Sequence, residues 1–176
     1  QLVLDYSRLH RQVLLLGAPT ILAGLAAHTS PPQTVMLDWS NALVNFVGSQ
    51  LTDSLLDIQQ HDLLNGTLWQ PAEQVDVTLC DPPWYPEYYT AFLAQAAYTT
   101  HLGGVVLASL LTPHIRPDAI YERNRVLQQA HEMGLALEGV ESGVLAYMPS
   151  TFEVNSLHTP GMDLPDDWHY GDLAIF

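Results

Sequence analysis

Lysine is absent from this 176-residue sequence, and five arginines stand against nineteen acids, for a formal net charge of −14. Tight, sequence-independent binding of DNA or RNA needs several cations set against phosphates. The chain cannot offer them over a broad surface, so tight autonomous nucleic-acid binding is not expected. A small or cationic substrate fits the charge better, as does a partner protein that supplies the nucleic-acid grip. Solubility, or a halophilic or acid-adapted source, accounts for the acidity equally well. Cysteine is nearly missing: Cys80 stands alone. That excludes an internal disulfide framework and suits a reducing, cytoplasmic setting. Long apolar runs are missing too. Residues 13–27 are interrupted by Gly17, Pro19 and Gly24, which leaves neither a membrane span nor a signal-peptide pattern. The eight histidines fall in no HExxH or paired Cys/His spacing, so no metal site is expected. There are no repeats and no low-complexity segments.

What is present is globular in composition, with 48% hydrophobic and 14% charged residues, and long enough to bury one substantial core. The chain begins at Gln1 and ends on Ile175-Phe176 in a strand-like run. Residues 1–176 therefore read as one domain, of the kind a fragment or module of a longer protein would show. Short apolar runs predict strands at 12–16, 34–37, 55–60, 74–80 and 104–110, and helical patterns fall between them at 21–28, 40–50, 88–100 and 117–133. The last part changes character, with strand-like stretches at 135–141, 143–148 and 172–176 and no helices between them. Strands alternating with helices argue for βαβ units. Apolar runs without alternation argue that both faces of the sheet are covered. The expected class is α/β and Rossmann-like: a mostly parallel central sheet, helices on both faces, and an antiparallel C-terminal edge.

The polar residues then fall into an ordered set. The four leading strands end at Gly17, Asp38, Asp62 and Asp81, which places a glycine turn and three carboxylates on one edge of a parallel sheet. Ligands of such sheets bind at that edge, where the strand order reverses. No GxGxxG is present. Gly17-Ala18-Pro19 is poorly matched to a pyrophosphate but leaves backbone open to an uncharged or zwitterionic ligand. Asp38 follows Gly17 at about the spacing of the acid that accepts two hydrogen bonds from a ribose diol. Trp39 beside it suits an adenine face or plain core. Asp62 is placed to meet an adenine amine or to cap a helix.

Asp81-Pro82-Pro83-Trp84 is the sharpest feature. Two prolines cannot extend a sheet ladder, so they fix a stiff turn at the strand end. The turn would hold the Asp81 carboxylate and nearby carbonyls toward the crevice, where they can orient an amine lone pair. Trp84 can stack on a planar group or hold a cationic amine; a purely structural turn is the competing explanation. Tyr85, in an aromatic run, is a candidate wall of a substrate pocket. His114 and Arg116, after the fifth strand, are candidate substrate contacts or members of a solvated loop. Glu122, Arg123 and Arg125 read as a solvated helix face.

These residues together resemble the class I S-adenosylmethionine-dependent methyltransferases. The likeness runs in order through Leu14-Leu15-Leu16-Gly17, Leu37-Asp38, His61-Asp62 and Cys80-Asp81-Pro82-Pro83-Trp84, roughly residues 12–110. The tetrad resembles the motif of amino-methyltransferases that modify adenine, cytosine or glutamine amide nitrogens. The resemblance implies S-adenosylmethionine as cofactor, bound by Gly17, Asp38 and Asp62. It implies a catalytic Asp81-Pro82-Pro83-Trp84 in which Asp81 and Pro82 orient the amine and Trp84 stacks. The layout is also similar to that of branched-chain polyamine synthases, which are aminopropyltransferases. The acceptor would be an amine-bearing base, protein amide or polyamine. A non-catalytic module that keeps the fold for binding or assembly is the alternative of a different class.

Overall fold

The structure is a computed structural model that describes residues 12–113, 115–147 and 170–176. In chain order its elements are β1 (Gln12–Leu16), α1 (Pro19–Ala26), β2 (Gln33–Asp38), α2 (Asn41–Gly48), β3 (Leu56–Gln60), β4 (Val75–Cys80), α3 (Pro86–Thr99), β5 (Thr100–Leu110), α4 (Ala119–Glu132), β6 (Gly139–Ala146) and β7 (Tyr170–Ile175). A 3-10 turn, Leu63–Asn65, follows β3. The strands form one sheet in the order β3-β2-β1-β4-β5-β7-β6. β1 to β5 pair in parallel, whereas β7 runs antiparallel to both β5 and β6. The expected α/β class, with its parallel centre and antiparallel edge, is what the chain adopts.

β1 shows why the sheet is covered on both sides. Leu14 and Leu16 point into one core, with Tyr89, Phe92 and Leu93 of α3 and Val126 and Ala130 of α4. Val13 and Leu15 point into the other, with Leu22 and Leu25 of α1. Successive strand residues face opposite ways, so a continuous apolar run serves two cores at once. Each such leucine contributes about 1.5–3 kcal/mol by leaving water.

Local signals set the helix ends. Pro19 and Pro86 stand in the first turns of α1 and α3, where a missing N–H costs nothing. The Ser40 Oγ caps α2 by accepting from Leu43 N at 3.3 Å. Because Pro86 opens α3, the helix starts two residues before the predicted position. β5 starts at Thr100, four residues early. Gly104 permits this: a Cβ there would lie 2.7 Å from the Asp76 carbonyl, at the register shift between β4 and β5.

Two expectations need correction. The sequence predicts two strands at 135–141 and 143–148, but only one forms, β6. Its pairing shifts between Glu141 and Leu145, where Gly143 adopts φ 65°. Nor is Arg123 on a solvated face. Its Nη1 donates to Asp172 Oδ2 at 2.5 Å and to the Leu111 carbonyl at 3.0 Å. Asp172 is buried in β7, and its Oδ1 accepts from Gly143 N at 2.8 Å. A buried carboxylate must be paired, and α4 supplies the cation.

Candidate active site

The strand order reverses between β1 and β4, so their carboxyl ends separate the helices above and leave a crevice. The ladders continue past the strand ends through Gly17 N to the Leu37 carbonyl at 3.0 Å, Asp81 N to the Leu16 carbonyl at 2.9 Å, and His61 N to the Asp38 carbonyl at 2.9 Å. These bonds fix Gly17, Asp38 and Asp81 side by side. A cavity of about 600 Å³ opens there, lined by Gly17, Asp38, Trp39, Asp62, Asp81, Pro82, Pro83, Tyr88, Phe92 and Tyr147 among others. The four strand-end residues expected at this edge thus share one cavity.

Gly17 cannot be replaced without strain. Its φ is +65°, and a Cβ would sit 3.2 Å from both the Asp81 carbonyl and Phe92 Cε1. The bare backbone at this turn is what lets β1 and β4 approach. Asp38 Oδ1 accepts from Ser40 N at 2.8 Å, which sets the carboxylate at the entrance to α2. Asp62 does two things: Oδ1 caps the 3-10 turn by accepting from Leu64 N at 2.9 Å, and the residue lines the cavity. Trp39 is not core; it is exposed on the cavity rim.

At the other end, Asp81 is half-buried. Burial pushes its carboxyl above the usual carboxylate range, against the opposing pull of a hydrogen bond from Tyr147 and the nearby Ser109 hydroxyl. Tyr147 Oη donates to Asp81 Oδ1 at 2.7 Å. Sequence reasoning missed Tyr147. β6 points the same way as β5, because β7 lies antiparallel between them, so its carboxyl end reaches the same crevice. An aromatic residue at the end of that predicted strand was the available signal.

Pro82 and Pro83 line the cavity, and Trp84 stands behind it. The Trp84 ring is half-buried against the core and meets Tyr147 edge-on, with centroids 5.2 Å apart and an interplanar angle of 81°. Arg116 braces the motif from outside. It donates to the Trp84 carbonyl, pairs with Glu122 through Nε at 2.9 Å and lies 5.6 Å from the centre of the Tyr85 ring. Neither Tyr85 nor Arg116 lines the cavity. His114 lies outside the described residues.

Electrostatically, the described residues bring three carboxylates, the His61 ring and no arginine to the lining. Aromatic faces from Tyr88, Phe92 and Tyr147 complete it. Such a lining receives a positively charged group and disfavours phosphate. Among the described residues, no group of His, Cys, Asp and Glu could hold a metal ion. No described helix is long and apolar enough to cross a membrane.

No family profile and no curated protein matches the sequence. Solved structures do match in shape. The N-methyltransferase NodS from Bradyrhizobium japonicum, in complex with S-adenosyl-L-homocysteine, is 16% identical, with a TM-score of 0.62 over 99% of this chain and 83% of that one. A branched-chain polyamine synthase mutein from Thermus thermophilus, in complex with N4-aminopropylspermidine and 5′-methylthioadenosine, is 17% identical, with a TM-score of 0.70 over 93% of this chain and 49% of that one. A methyltransferase in complex with the Haloferax volcanii activator Trm112 is 16% identical, with a TM-score of 0.62 over 94% of this chain and 81% of that one. The chain therefore has the Rossmann-like fold shared by S-adenosylmethionine-dependent methyltransferases and a polyamine synthase.

Proposed function

We propose that the protein is an S-adenosylmethionine-dependent N-methyltransferase acting on an amino group. One observation carries the reading: Gly17, Asp38 and Asp62 share a cavity with the half-buried Asp81 at the point where the strand order reverses. The residues fit the cofactor by chemistry. Asp38 offers carboxylate acceptors suited to a ribose diol. Asp62 suits an adenine amine, and the acidic and aromatic side chains of the lining suit a sulfonium cation. When bound, the cofactor supplies an electrophilic methyl group.

The chain's own task is then positioning. The Asp81 carboxylate and the Pro82 carbonyl accept the two N–H bonds of the amine, which aims its lone pair. As the nitrogen gains its fourth substituent it would become cationic while the cofactor would leave as the neutral thioether S-adenosylhomocysteine; Asp81 stabilises the new charge, and the surplus proton passes to solvent as product departs. Trp84 acts from behind the motif, with Tyr85 and Arg116 as outer contacts of the acceptor. The acidic surface leaves any nucleic-acid grip to a partner protein; one methyltransferase neighbour is itself in complex with a protein, Trm112.

A second reading, aminopropyl transfer to a polyamine, is favoured by the three carboxylates that the described residues bring to the lining, since both substrates would be polycations. The neighbour solved with N4-aminopropylspermidine supports it. Calorimetric titration with S-adenosylmethionine, S-adenosylhomocysteine and decarboxylated S-adenosylmethionine tests both readings. Binding of either of the first two supports methyl transfer, and preference for the decarboxylated compound supports the alternative. Asp38→Ala weakens the preferred ligand by about 1.5–3 kcal/mol, the worth of hydrogen bonds to a charged group. A folded wild-type protein that binds none of the three is a non-catalytic module.

A further inference from the structure

Amine activation asks more of Asp81 than a carboxylate near the crevice: one oxygen must be ionised and held in a fixed plane. Four features around Tyr147 provide this. Its hydroxyl donates to Asp81 Oδ1 at 2.7 Å. Trp84 of the Asp-Pro-Pro-Trp turn packs edge-on against its ring. Gly171 of β7 makes room for both rings, since a Cβ there would lie 2.8 Å from Tyr147 Cε2 and 3.0 Å from Trp84 Cζ2. The buried Ser109 hydroxyl of β5 sits close to both Asp81 and Tyr147 but completes a hydrogen bond to neither among the described residues. The tyrosine ring is clamped, and its one polar atom is aimed at one carboxylate oxygen.

Resting on the transferase reading of this cavity, we propose that Tyr147 is a positioning residue that holds Asp81 Oδ1 and so presents Oδ2, with the Pro82 carbonyl, to the acceptor amine. Trp84 and Gly171 serve the reaction through Tyr147, which explains why Trp84 stands behind the cavity.

The chemistry follows from which groups face Asp81. Cys80 of β4 and Tyr89 of α3 approach it with pKa values pushed up by burial, so both are neutral. Tyr147 is likewise held neutral, as a donor. Burial drives Asp81 toward its protonated form, and the Tyr147 hydrogen bond is the larger of the two influences opposing that drive. Without it the carboxyl takes up a proton at higher pH. A protonated Asp81 donates from one oxygen and keeps only a neutral carbonyl as acceptor, so it no longer offers the amine a charged one.

The test is Tyr147→Phe, with the Asp81 carboxyl followed by carbon-13 NMR in the ligand-free protein alongside kcat, KM for the acceptor and S-adenosylhomocysteine affinity. The Asp81 titration midpoint rises, and the acid limb of the kcat/KM profile moves up with it. Turnover at neutral pH falls about ten- to a hundred-fold, as expected for one lost hydrogen bond to a charged group. S-adenosylhomocysteine affinity stays within about two-fold. Adding Tyr147→Phe to Asp81→Asn lowers turnover no further. If Tyr147→Phe is unfolded, Gly171→Ala, which displaces the rings from behind, raises the Asp81 midpoint instead. An unchanged midpoint in folded protein overturns the proposal, as does a loss of turnover matched by an equal loss of S-adenosylhomocysteine affinity. A wild-type protein that neither binds S-adenosylhomocysteine nor transfers a methyl group overturns the functional reading, while the midpoint still decides whether Tyr147 governs Asp81.

Discussion

Arg123→Ala should be among the costliest single changes in the molecule, although Arg123 does not line the cavity. The Arg123 and Asp172 side chains are 15% and 5% exposed, so their attraction is little screened. The substitution leaves Asp172 buried with Gly143 N as its remaining donor and deprives the Leu111 carbonyl of its partner. Breaking a buried pair from one side costs about 3–5 kcal/mol, because the surviving charge has no counterpart. The residual exposure of Arg123 places the value at about 3 kcal/mol, a large share of a net stability of about 5–15 kcal/mol. Urea unfolding measures it as a lower midpoint at unchanged slope. The decisive control is Arg123→Met in an Asp172→Asn background. The amide that replaces the carboxylate keeps an acceptor for Gly143 N and carries no charge, so the same lost arginine costs much less there. A loss below about 1 kcal/mol, the range of exposed ion pairs, would refute the reasoning. So would equal losses in the two backgrounds, since the penalty would then not come from an orphaned charge.

Gly17→Ala forces a left-handed backbone on a residue with a Cβ, at about 1–2 kcal/mol, and crowds the Asp81 carbonyl; urea unfolding shows that loss and calorimetry shows weaker S-adenosylhomocysteine binding, whereas wild-type values for both would remove the turn from the site. Asp81→Asn raises the melting temperature at neutral pH while lowering turnover by orders of magnitude to a measurable residue. The folded pKa of Asp81 is raised, so its ionised form costs stability above that pKa; the gain of the Asn variant shrinks as pH falls through it and is gone below the unfolded value of about 3.9, and a gain independent of pH would contradict this. Cys80 is fully buried with its thiol pushed up, so a maleimide labels it orders of magnitude more slowly in the native protein than in urea; equal rates would mean that β4 opens readily.

The parallel half of the fold was legible because the apolar runs of β1, β2, β4 and β5 serve both faces of the sheet, while the weaker β3 at the edge buries only Leu56 and Ile58 on one side. The strand ends were legible for the same reason, and with them Gly17, Asp38, Asp62 and Asp81. The rest depended on contacts between distant residues. A helical pattern with charges at Glu122, Arg123 and Arg125 looks solvated until Asp172, 49 residues later, turns out to face Arg123. The end of β6 belongs to the crevice only because β7, antiparallel to both, lies between it and β5; the aromatic Tyr147 at that strand end hints at a site, but the crevice it faces is set by pairing with residues 170–175. β6 reads as two strands in the sequence because Gly143 breaks its alternation without ending the pairing. Asp62 shows that two explanations can hold together: one oxygen caps a turn while the residue faces the cavity.

The position of β7 between β5 and β6 also fixes an order of assembly. β6 precedes β7 in the chain but touches the sheet only through it. As the chain leaves the ribosome amino end first, β1 to β5 can zip together and form the crevice with its three carboxylates. β6 must wait, unpaired, until residues 170–175 insert beside β5. Only then does Tyr147 come within reach of Asp81, its partner 66 residues away. A nascent chain that has not yet placed β7 therefore has a crevice with an unsupported Asp81, and the hydrogen bond between Tyr147 and Asp81 marks the completion of this sheet edge.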